Sequence, residues 1–315
     1  MRTAGRCAVV GAANIDIGGF PLGRMALRDS SPGRVALSAG GVGRNIACNL
    51  ARLGVDTRLV APLGDDVFGG IIRADCARSG VDAGLCFQFP GNNSSSYLFI
   101  ADSEGDMQLA INDMDICLRM TPEALSERVD ALNAMDVVAL DANLPEESIA
   151  FLAERLRVPL VADAVSAVKA RKLLPALPRL RALKPNALEA EALTGLPVND
   201  RASAEAAARR LVDMGAQRVF ITLGERGVCC ADARTTRFIP GMPVRMVNAT
   251  GAGDAFTAAL IWAELRGLSL TEATHAGMAA AALCVESMET VNPEMSEAAL
   301  LNRIETICGT EISDR

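Results

Sequence analysis

The sequence lacks several features, and each absence excludes a class of protein. It has no uninterrupted apolar run of about 18 residues, the length that a membrane helix needs. Its N-terminus has no apolar segment adequate for a secretory signal. Its lysines and arginines form no long run and the formal net charge is -7, which argues against a nucleic-acid partner. We therefore expect a soluble cytoplasmic protein that binds neither membranes nor nucleic acids.

Residues that bind metals or form redox pairs are also scarce. His275 is the only histidine, so a site or catalytic triad that needs several histidines is excluded. The nine cysteines include no pair with C-x-x-C spacing. Reduced thiols in a cytosolic protein fit this pattern best. The adjacent Cys229 and Cys230 are expected to point to opposite faces of a strand.

The composition favours small apolar side chains over large ones. Aromatic residues make up only 3% of the chain although 50% of it is hydrophobic, which suits close packing of helices on a sheet. The 315 residues could form one large α/β domain or two smaller ones. We find no repeat, low-complexity tract or long charged linker, so we expect one domain over residues 1–315 with an inserted lid.

Stretches typical of strands and helices alternate along the chain, which predicts a mostly parallel sheet. The predicted strands are 7–13, 57–63, 84–89, 137–140, 159–162, 180–183 and 218–222, followed by a hairpin of 227–231 and 236–239. The predicted helices include one that ends at Gly54, one that follows Asn186, and 67–79, 146–155, 202–214, 252–266 and 270–285.

Two segments interrupt this alternation and predict a small separate sheet. Residues 17–38 place glycines and prolines between short apolar pieces. Within 91–112, a turn is followed by the predicted strands 95–101 and 107–111, which a polar loop at 102–106 joins into a hairpin. We expect the two segments to form a lid over the ligand site, which lies at the carboxyl ends of the strands in open α/β sheets.

The main functional signal is the glycine turn that precedes the predicted helix 252–266. Gly251 and Gly253 would let a ligand approach the main chain, and the amides near Ala252 converge at the helix N-terminus, where anions bind. Asp254 lies in the first turn, where it could accept a proton from a hydroxyl nucleophile. The alternative is an ordinary turn with an acidic residue that complements the helix dipole.

A second glycine cluster spans residues 40–45 and feeds the helix that ends at Gly54. It is neither a Walker A loop nor a G-x-G-x-x-G pattern. Its glycines could expose the backbone to a ligand, and the alternative is a packing turn. Asn14 and Asp16 follow the first predicted strand, which would place them at the ligand-binding end of the sheet.

Residues with carboxylate or amide side chains also follow later predicted strands. Asn186 and Glu189 follow Lys184 and share one face of a helical turn, where they could hold hydrated Mg2+ near phosphates. The alternative is a capping box, in which the two side chains bond each other's backbone amides. Asp163, also at a strand end, is a second candidate for the same ion.

The strand that ends at Thr222 is followed by a loop with Gly224 and Gly227. Its backbone and the Thr222 hydroxyl could contact the phosphates or ribose of a nucleotide. A simple hairpin turn is the alternative.

Taken together, the glycine cluster with its helix at 40–54 and the turn at 248–254 resemble the two signature motifs of the ribokinase-like (PfkB) carbohydrate kinase family. The resemblance covers the whole chain, because Asn14, the stretch 184–189 and Thr222 also fall in the family's order. It implies a three-layer α/β/α domain with a β-sheet lid over the sugar site. It also implies ATP and Mg2+, with phosphorylation of a ribose 5'-hydroxyl of a sugar or nucleoside.

The resemblance further implies a role for each candidate residue. The base is Asp254, the amides of Ala252, Gly253 and Asp254 form the anion hole, and Gly251 belongs to the same catalytic turn. The substrate residues are Asn14, Asp16, Gly41, Gly43, Asn45, Ser96, Asn112 and Asn143. The nucleotide residues are Lys184, Asn186, Thr222, Gly224, Gly227, Ala279 and Ala282, and the residues nearest the metal are Glu189 and Asp163.

Asn248 departs from the pattern of many ribokinases, which have Asp at this position, associated with their monovalent-cation site. The resemblance therefore leaves activation by K+ open. Family members pair through their lids, and we expect a homodimer of this kind. Two alternatives remain for the function: a family kinase that acts on a different sugar or nucleoside, and a ligand-binding or regulatory protein that kept the fold but lost catalysis.

Overall fold

A computed structural model of the chain describes residues 5–25, 28–102 and 107–313, with side chains as far as residue 308. Its main element is an eight-stranded sheet in which six neighbouring strands are parallel and the last two form an antiparallel edge. In sheet order the strands are β14 (Thr236–Pro240), β13 (Gly227–Asp232), β12 (Arg218–Thr222), β11 (Leu180–Lys184), β10 (Leu160–Asp163), β9 (Val137–Asp141), β1 (Arg6–Val10) and β4 (Asp56–Val60). The predicted parallel sheet and its terminal hairpin are confirmed.

Helices cover both faces of this sheet. One core packs against α1 (Val42–Arg52), α2 (Val67–Arg78), α9 (Ala252–Leu265), α10 (Leu270–Val285) and α11 (Glu297–Ser313). The other packs against α3 (Pro122–Ser126), α4 (Val129–Asn133), α5 (Glu146–Arg155), α6 (Ala167–Ala170), α7 (Ala187–Thr194) and α8 (Arg201–Asp213). Cys229 and Cys230 lie in different cores, as their adjacency in a strand predicts. The predicted three-layer α/β/α arrangement is confirmed.

A second, four-stranded sheet contains the two segments that interrupt the alternation. Its order is β3 (Gly33–Gly40), β2 (Asn14–Pro21), β7 (Ser95–Ala101) and β8 (Met107–Asp113), and we call it the small sheet. The predicted polar loop lies outside the described residues from 103 to 106. Asn14 and Asp16 do not end the first strand, because β1 stops at Val10 and both residues lie in β2 of the small sheet.

Two predicted strands of the main sheet are wrong. The prediction at 57–63 is divided into β4 and β5 (Pro62–Gly64), and only β6 (Phe87–Phe89) forms within 84–89. Pro62 has no amide hydrogen to continue the ladder, so the chain leaves the main sheet there and β5 pairs with β6 alone. Among the described residues, no helix is long and apolar enough to cross a bilayer.

Candidate active site

The glycine turn places Asp254 at the N-terminus of α9. Gly251 has φ 87°, in the left-handed region, and a side chain there would overlap the carbonyl oxygen of Thr290. Helix α9 begins at the next residue, so Asp254 lies in its first turn. Within a helix, the amides of the first turn have no carbonyl partner, which leaves them directed at an anion outside the helix.

The glycine cluster at 40–45 is brought to the same place. The Asn45 side-chain amide donates to Asp254 Oδ2 at 2.8 Å, although the two residues are 209 positions apart. Gly41 precedes α1 with φ 96°, and a Cβ there would lie 2.6 Å from the Ala12 carbonyl oxygen. A Cβ on Gly43 would lie 2.9 Å from the Gly11 carbonyl carbon. Both glycines therefore let α1 approach the end of β1. This close packing also agrees with the alternative in which the cluster at 40–45 is a packing turn and not a ligand site.

The environment of Asp254 changes its acidity. Burial raises the pKa of Asp254 to about 7, with the charges of Asp163 and Asp141 acting in the same direction. The hydrogen bond from Asn45 and the positive charge of Lys184 act against this rise. A carboxyl group with a pKa near 7 is suited to accept a proton at neutral pH.

Lys184 lies at the end of β11, buried beside the first turn of α9. Its Nζ is 2.9 Å from Asp163 Oδ2, and a Cβ on Gly253 would also lie 2.9 Å from this Nζ. Burial opposes the charged form, but the nearby carboxylates of Asp163 and Glu189 hold the pKa of Lys184 above its ordinary value. A positive charge therefore lies against the glycine turn.

Asp163 is engaged by protein donors. Its Oδ2 accepts from the Thr257 hydroxyl at 2.7 Å and pairs with Lys184, and its Oδ1 accepts from the Val165 amide at 2.9 Å. These contacts make Asp163 the partner of Lys184. The expected role of Asp163 near a metal ion stays a prediction.

Asn186 and Glu189 form the capping box that was the structural alternative. The Asn186 side-chain oxygen accepts from the Glu189 amide at 2.9 Å, and Glu189 Oε2 accepts from the Asn186 amide at 2.8 Å. Glu189 Oε1 accepts from the Asn186 side chain at 2.8 Å, and burial raises the pKa of Glu189. Over the described ranges, no group of three or more His, Cys, Asp or Glu side chains could hold a metal ion. A Mg2+ ion here would need nucleotide phosphates and water as ligands.

Asn14 and Asp16 meet on one face of the small sheet. The Asn14 side-chain amide donates to Asp16 Oδ1 at 2.6 Å, and burial raises the pKa of Asp16. The register places Asp16 beside Tyr97, which in turn lies beside Asn112. Residues paired in this way share a face, so the exposed Asn112 lies on the face of Asp16.

Ser96 does not belong to this group. It pairs with Ile15, and side chains alternate between the faces of a strand, so Ser96 points away from the face of Asp16. The prediction of Ser96 as a substrate residue is therefore not supported by its position.

Asp141, at the end of β9, and Lys169, in α6, were not predicted from the sequence. Asp141 is fully buried and accepts from the amides of Ala12 and Asn143 at 2.8 Å each, while burial raises its pKa. Lys169 donates to the Asn143 side-chain oxygen at 2.6 Å. Asp141 therefore joins the start of the small sheet to the predicted substrate residue Asn143. Its place at the end of a predicted strand was the available signal.

The predicted nucleotide residues are only partly brought together. Thr222 forms a bridge with Asn186 at the ends of β12 and β11. Gly224 and Gly227 have φ of 61° and 115° and belong to the turn that leads into β13, as the hairpin alternative predicts. Ala279 and Ala282 both lie in α10 and are both buried, Ala279 fully and Ala282 with 5% of its surface exposed, so neither side chain is open to a ligand.

Comparison with known proteins adds three findings. Residues 4–297 match the model of the pfkB family carbohydrate kinases. The chain is 33% identical to the pseudouridine kinase of Escherichia coli (strain K12), over 97% of this chain and 98% of that protein. It is 28% identical to the guanosine-inosine kinase of Exiguobacterium acetylicum, over 93% of this chain and 99% of that protein.

The fold has a close structural counterpart as well. The structure of Arabidopsis thaliana ribokinase, complexed with ribose and ATP, superposes with a TM-score of 0.86 at 24% identity. The match covers 96% of this chain and 99% of the ribokinase. It shows that the three layers and the small sheet share one overall arrangement with that protein.

Proposed function

The chain belongs to the pfkB family of carbohydrate kinases, and from this membership we propose that it transfers the γ-phosphoryl group of ATP to the 5'-hydroxyl of pseudouridine. The family makes the chain a phosphotransferase with an alcohol acceptor, a sugar or nucleoside kinase that uses ATP. The observation that carries the substrate is the full-length similarity to the E. coli pseudouridine kinase.

Four segments of the sequence carry the narrower resemblance to pseudouridine kinases. They are residues 40–45, 93–97, 111–114 and 247–250. All four flank the glycine turns or belong to the small sheet, which are the parts that would contact a nucleoside.

The first chemical role that we propose is that of Asp254. Its carboxylate would take the proton of the 5'-hydroxyl as that oxygen forms its bond to the γ-phosphorus and ADP leaves. The amides of Ala252, Gly253 and Asp254 would stabilise negative charge on the transferring group. The ammonium group of Lys184, against Gly253, would add positive charge at the same point. Positioning and charge stabilisation are most of what phosphoryl transfer requires of a protein.

The nucleoside would be held by residues on both sides of Asp254. We propose that Asn14, Asp16 and Asn45 bind the ribose hydroxyls, with the backbone of Gly41 and Gly43 in close approach. Asn112 and Asn143 would close the pocket. Because Asn45 also donates to Asp254, it would orient the carboxylate of Asp254 as well as the sugar.

ATP would lie on the other side of the turn, along Asn186, Thr222 and Gly224 and beside the part of α10 around Ala279 and Ala282. Mg2+ bound to its phosphates would neutralise part of their charge. The Asn186–Glu189 pair fits an indirect role in which Glu189 fixes Asn186 and contacts water around the ion, because both carboxylate oxygens already accept from Asn186.

We propose that residues 1–315 form one catalytic domain and that the small sheet is its lid. The lid would close on the nucleoside and exclude water during transfer. Two lids would pair in a homodimer, a proposal motivated by the aliphatic side chains that the small sheet exposes, among them Val35, Leu37 and Ile111.

A substrate panel tests the proposed function. Purified protein is given ATP with pseudouridine, uridine, guanosine, inosine, D-ribose or D-fructose, and ADP release and the phosphorylated position are measured. We expect the highest kcat/KM with pseudouridine and a 5'-phosphate product. A higher kcat/KM with another acceptor would favour a different kinase of the family, and absence of ADP release with every acceptor would favour a binding or regulatory protein.

A further inference from the structure

The two faces of the small sheet differ in chemistry. Side chains of residues paired across neighbouring strands share a face. One face is aliphatic and carries Ile17, Val35, Leu37, Leu98, Ile100, Leu109 and Ile111. The opposite face carries a polar row across the sheet, next to the row of Asn14, and this polar row consists of Ser38, Asp16, Tyr97 and Asn112. The next row on that face is Ala36, Gly18, Phe99 and Ala110.

The second row is small except for one aromatic ring, and two more rings lie beside it. The ring centroids of Phe20 and Phe99 are 5.8 Å apart with an interplanar angle of 87°. Those of Tyr97 and Phe99 are 6.1 Å apart with an angle of 35°. The Tyr97 hydroxyl, at the edge of the group, donates to Met107 Sδ at 3.2 Å. The three rings form a continuous cluster in a chain whose only tyrosine is Tyr97.

Gly18 allows the rings to lie against the strand. A Cβ at this position would be 2.7 Å from Phe99 Cζ and 2.8 Å from Phe20 Cε2. The backbone of Gly18 is buried under the rings, while Phe20 is 38% exposed and Tyr97 and Phe99 are half-buried. The cluster is therefore packed on its sheet side and open on its other side.

The position of this cluster relative to the polar row indicates what it contacts. Gly18 follows Asp16 by two residues in β2, a distance of about 7 Å along a strand. In the proposed binding mode, in which Asp16 holds the ribose and the 5'-oxygen is directed at Asp254, the C1' substituent would extend along β2. In a nucleoside that substituent is a planar base, whereas in free ribose it is only a hydroxyl.

We propose that Phe99, supported by Phe20 and Tyr97, forms a stacking surface for the nucleobase and makes the site selective for nucleosides over free ribose. This inference rests on the proposed function and extends it to the residues that recognise the base. Aromatic rings stack on any planar base, and the open rings beside the small residues Gly18, Ala36 and Ala110 provide the space for one. An all-aliphatic row would bury area but would offer no stacking partner.

The test compares Phe99→Leu with Ile100→Leu. The two residues are adjacent in β7 but lie on opposite faces, and both variants place a leucine there. The measured quantities are kcat/KM for pseudouridine, the Ki of D-ribose as a competitor, and the melting temperature as a check of folding. Base stacking is worth about 5- to 150-fold in affinity. We expect Phe99→Leu to lower kcat/KM for pseudouridine by that factor, chiefly through KM, and to leave the Ki of ribose within about twofold, below that stacking range.

Ile100→Leu should change neither quantity, and Phe99→Trp, which keeps a ring, should restore kcat/KM for pseudouridine. Unchanged kcat/KM in Phe99→Leu, or an equal loss for nucleoside and ribose, would overturn the inference while the proposed function stands. A wild-type protein that phosphorylates ribose but no nucleoside would overturn both. These outcomes separate a failed stacking surface from a failed substrate assignment.

Discussion

Asp254 is the residue on which the proposed chemistry depends. Replacing it with Asn keeps the shape and most hydrogen bonding but removes the proton acceptor. General-base catalysis typically contributes 10² to 10⁴ in rate, so we expect kcat to fall by about that factor. The nucleoside Kd, measured by calorimetry, should change much less, because the proposed ribose contacts lie on Asn14, Asp16 and Asn45.

A purely electrostatic role of Asp254 at the helix N-terminus gives the opposite result. It would cost about 0.3 to 1 kcal/mol of stability and leave turnover near normal. A variant that turns over within about tenfold of wild type, below the usual contribution of a general base, would contradict the catalytic role.

The pH dependence follows from the same carboxyl group. Because the pKa of Asp254 is raised to about 7 and the ionised form is the active one, kcat/KM should rise with pH and reach half its maximum near pH 7. The Asn45 hydrogen bond lowers this pKa, so Asn45→Ala should move the half-maximum to higher pH. The check is kcat/KM for pseudouridine at saturating ATP. If the Asp254→Asn variant shows the same decline of kcat/KM at acidic pH, that decline belongs to another titrating group.

Asn248 bears on the question of a monovalent cation. Its side-chain amide donates to the Met288 carbonyl at 3.1 Å and its oxygen accepts from the Thr250 amide at 2.9 Å. The Met288 carbonyl oxygen therefore already accepts a hydrogen bond from the Asn248 side chain. A cation bound at that oxygen would have to replace this donor. We expect equal kcat in KCl and NaCl at matched ionic strength. Activation by K+ that is lost in a Na+ buffer would contradict this.

At the scale of single elements, the start of α7 combines a structural and a proposed functional role. We expect Asn186→Ala to lower the free energy of unfolding by about 0.5 to 2 kcal/mol, because the helix loses its cap. We also expect the KM for Mg-ATP to rise about 10- to 100-fold, the usual effect of removing a residue that orients ligands around a metal. Nucleoside affinity should stay unchanged. Chemical unfolding and initial rates over a Mg-ATP series measure the two effects.

The chain contains a matched control for this variant. Helix α10 begins with the same kind of box, in which Ser269 accepts from the Glu272 amide at 3.3 Å and Glu272 accepts from the Ser269 amide at 2.8 Å. Ser269 is exposed and belongs to no part of the site. Ser269→Ala should lose a similar stability with normal kinetics. If Asn186→Ala behaves in the same way, the role of this pair is capping alone.

Elements with a strong local pattern were predictable from the sequence. Helices α5 and α10 and strand β12 have the predicted bounds, because apolar periodicity and a clear start and end coincide there. The strand predicted at 57–63 failed because periodicity does not reveal which sheet a strand joins. Helix α11 was missed although it places Leu300, Ile304 and Ile307 on one face at helical spacing.

The candidate site was predictable only where its signal lies in local sequence. The two glycine turns and Asp254 could be found because close backbone approach demands glycine. The Lys184–Asp163 pair and the contacts of Asp141 could not, because each joins residues that are distant in sequence and depends on the order of strands. The face of the sheet on which Ser96 lies depends on the strand register, because a shift by one residue would move its side chain to the other face.

At the scale of the whole molecule, the small sheet has two faces with different tasks. In the proposed function the polar and aromatic face contacts the nucleoside, so the aliphatic face remains to be covered. Leu37 is 58% exposed and Ile111 is 69% exposed on this face. Within one copy of the described chain these side chains remain open to solvent, and a second lid offers the same apolar surface. A symmetric pairing of two identical faces would cover the apolar surface of both copies at once.

Leu37→Lys tests this arrangement. A lysine in the centre of an apolar interface would be buried without a partner, a cost typical of the residues that dominate binding, about 2 kcal/mol or more. We expect the dimer Kd to rise at least about 30-fold, measured by sedimentation at micromolar concentrations with pseudouridine present. Val168→Lys is the matched control, because Val168 is 87% exposed in α6, in the other helical layer. It adds the same charge and should leave the dimer intact. A wild-type protein that sediments only as a monomer, or a dimer that survives Leu37→Lys, would show that the lids do not pair and that the aliphatic face meets something else.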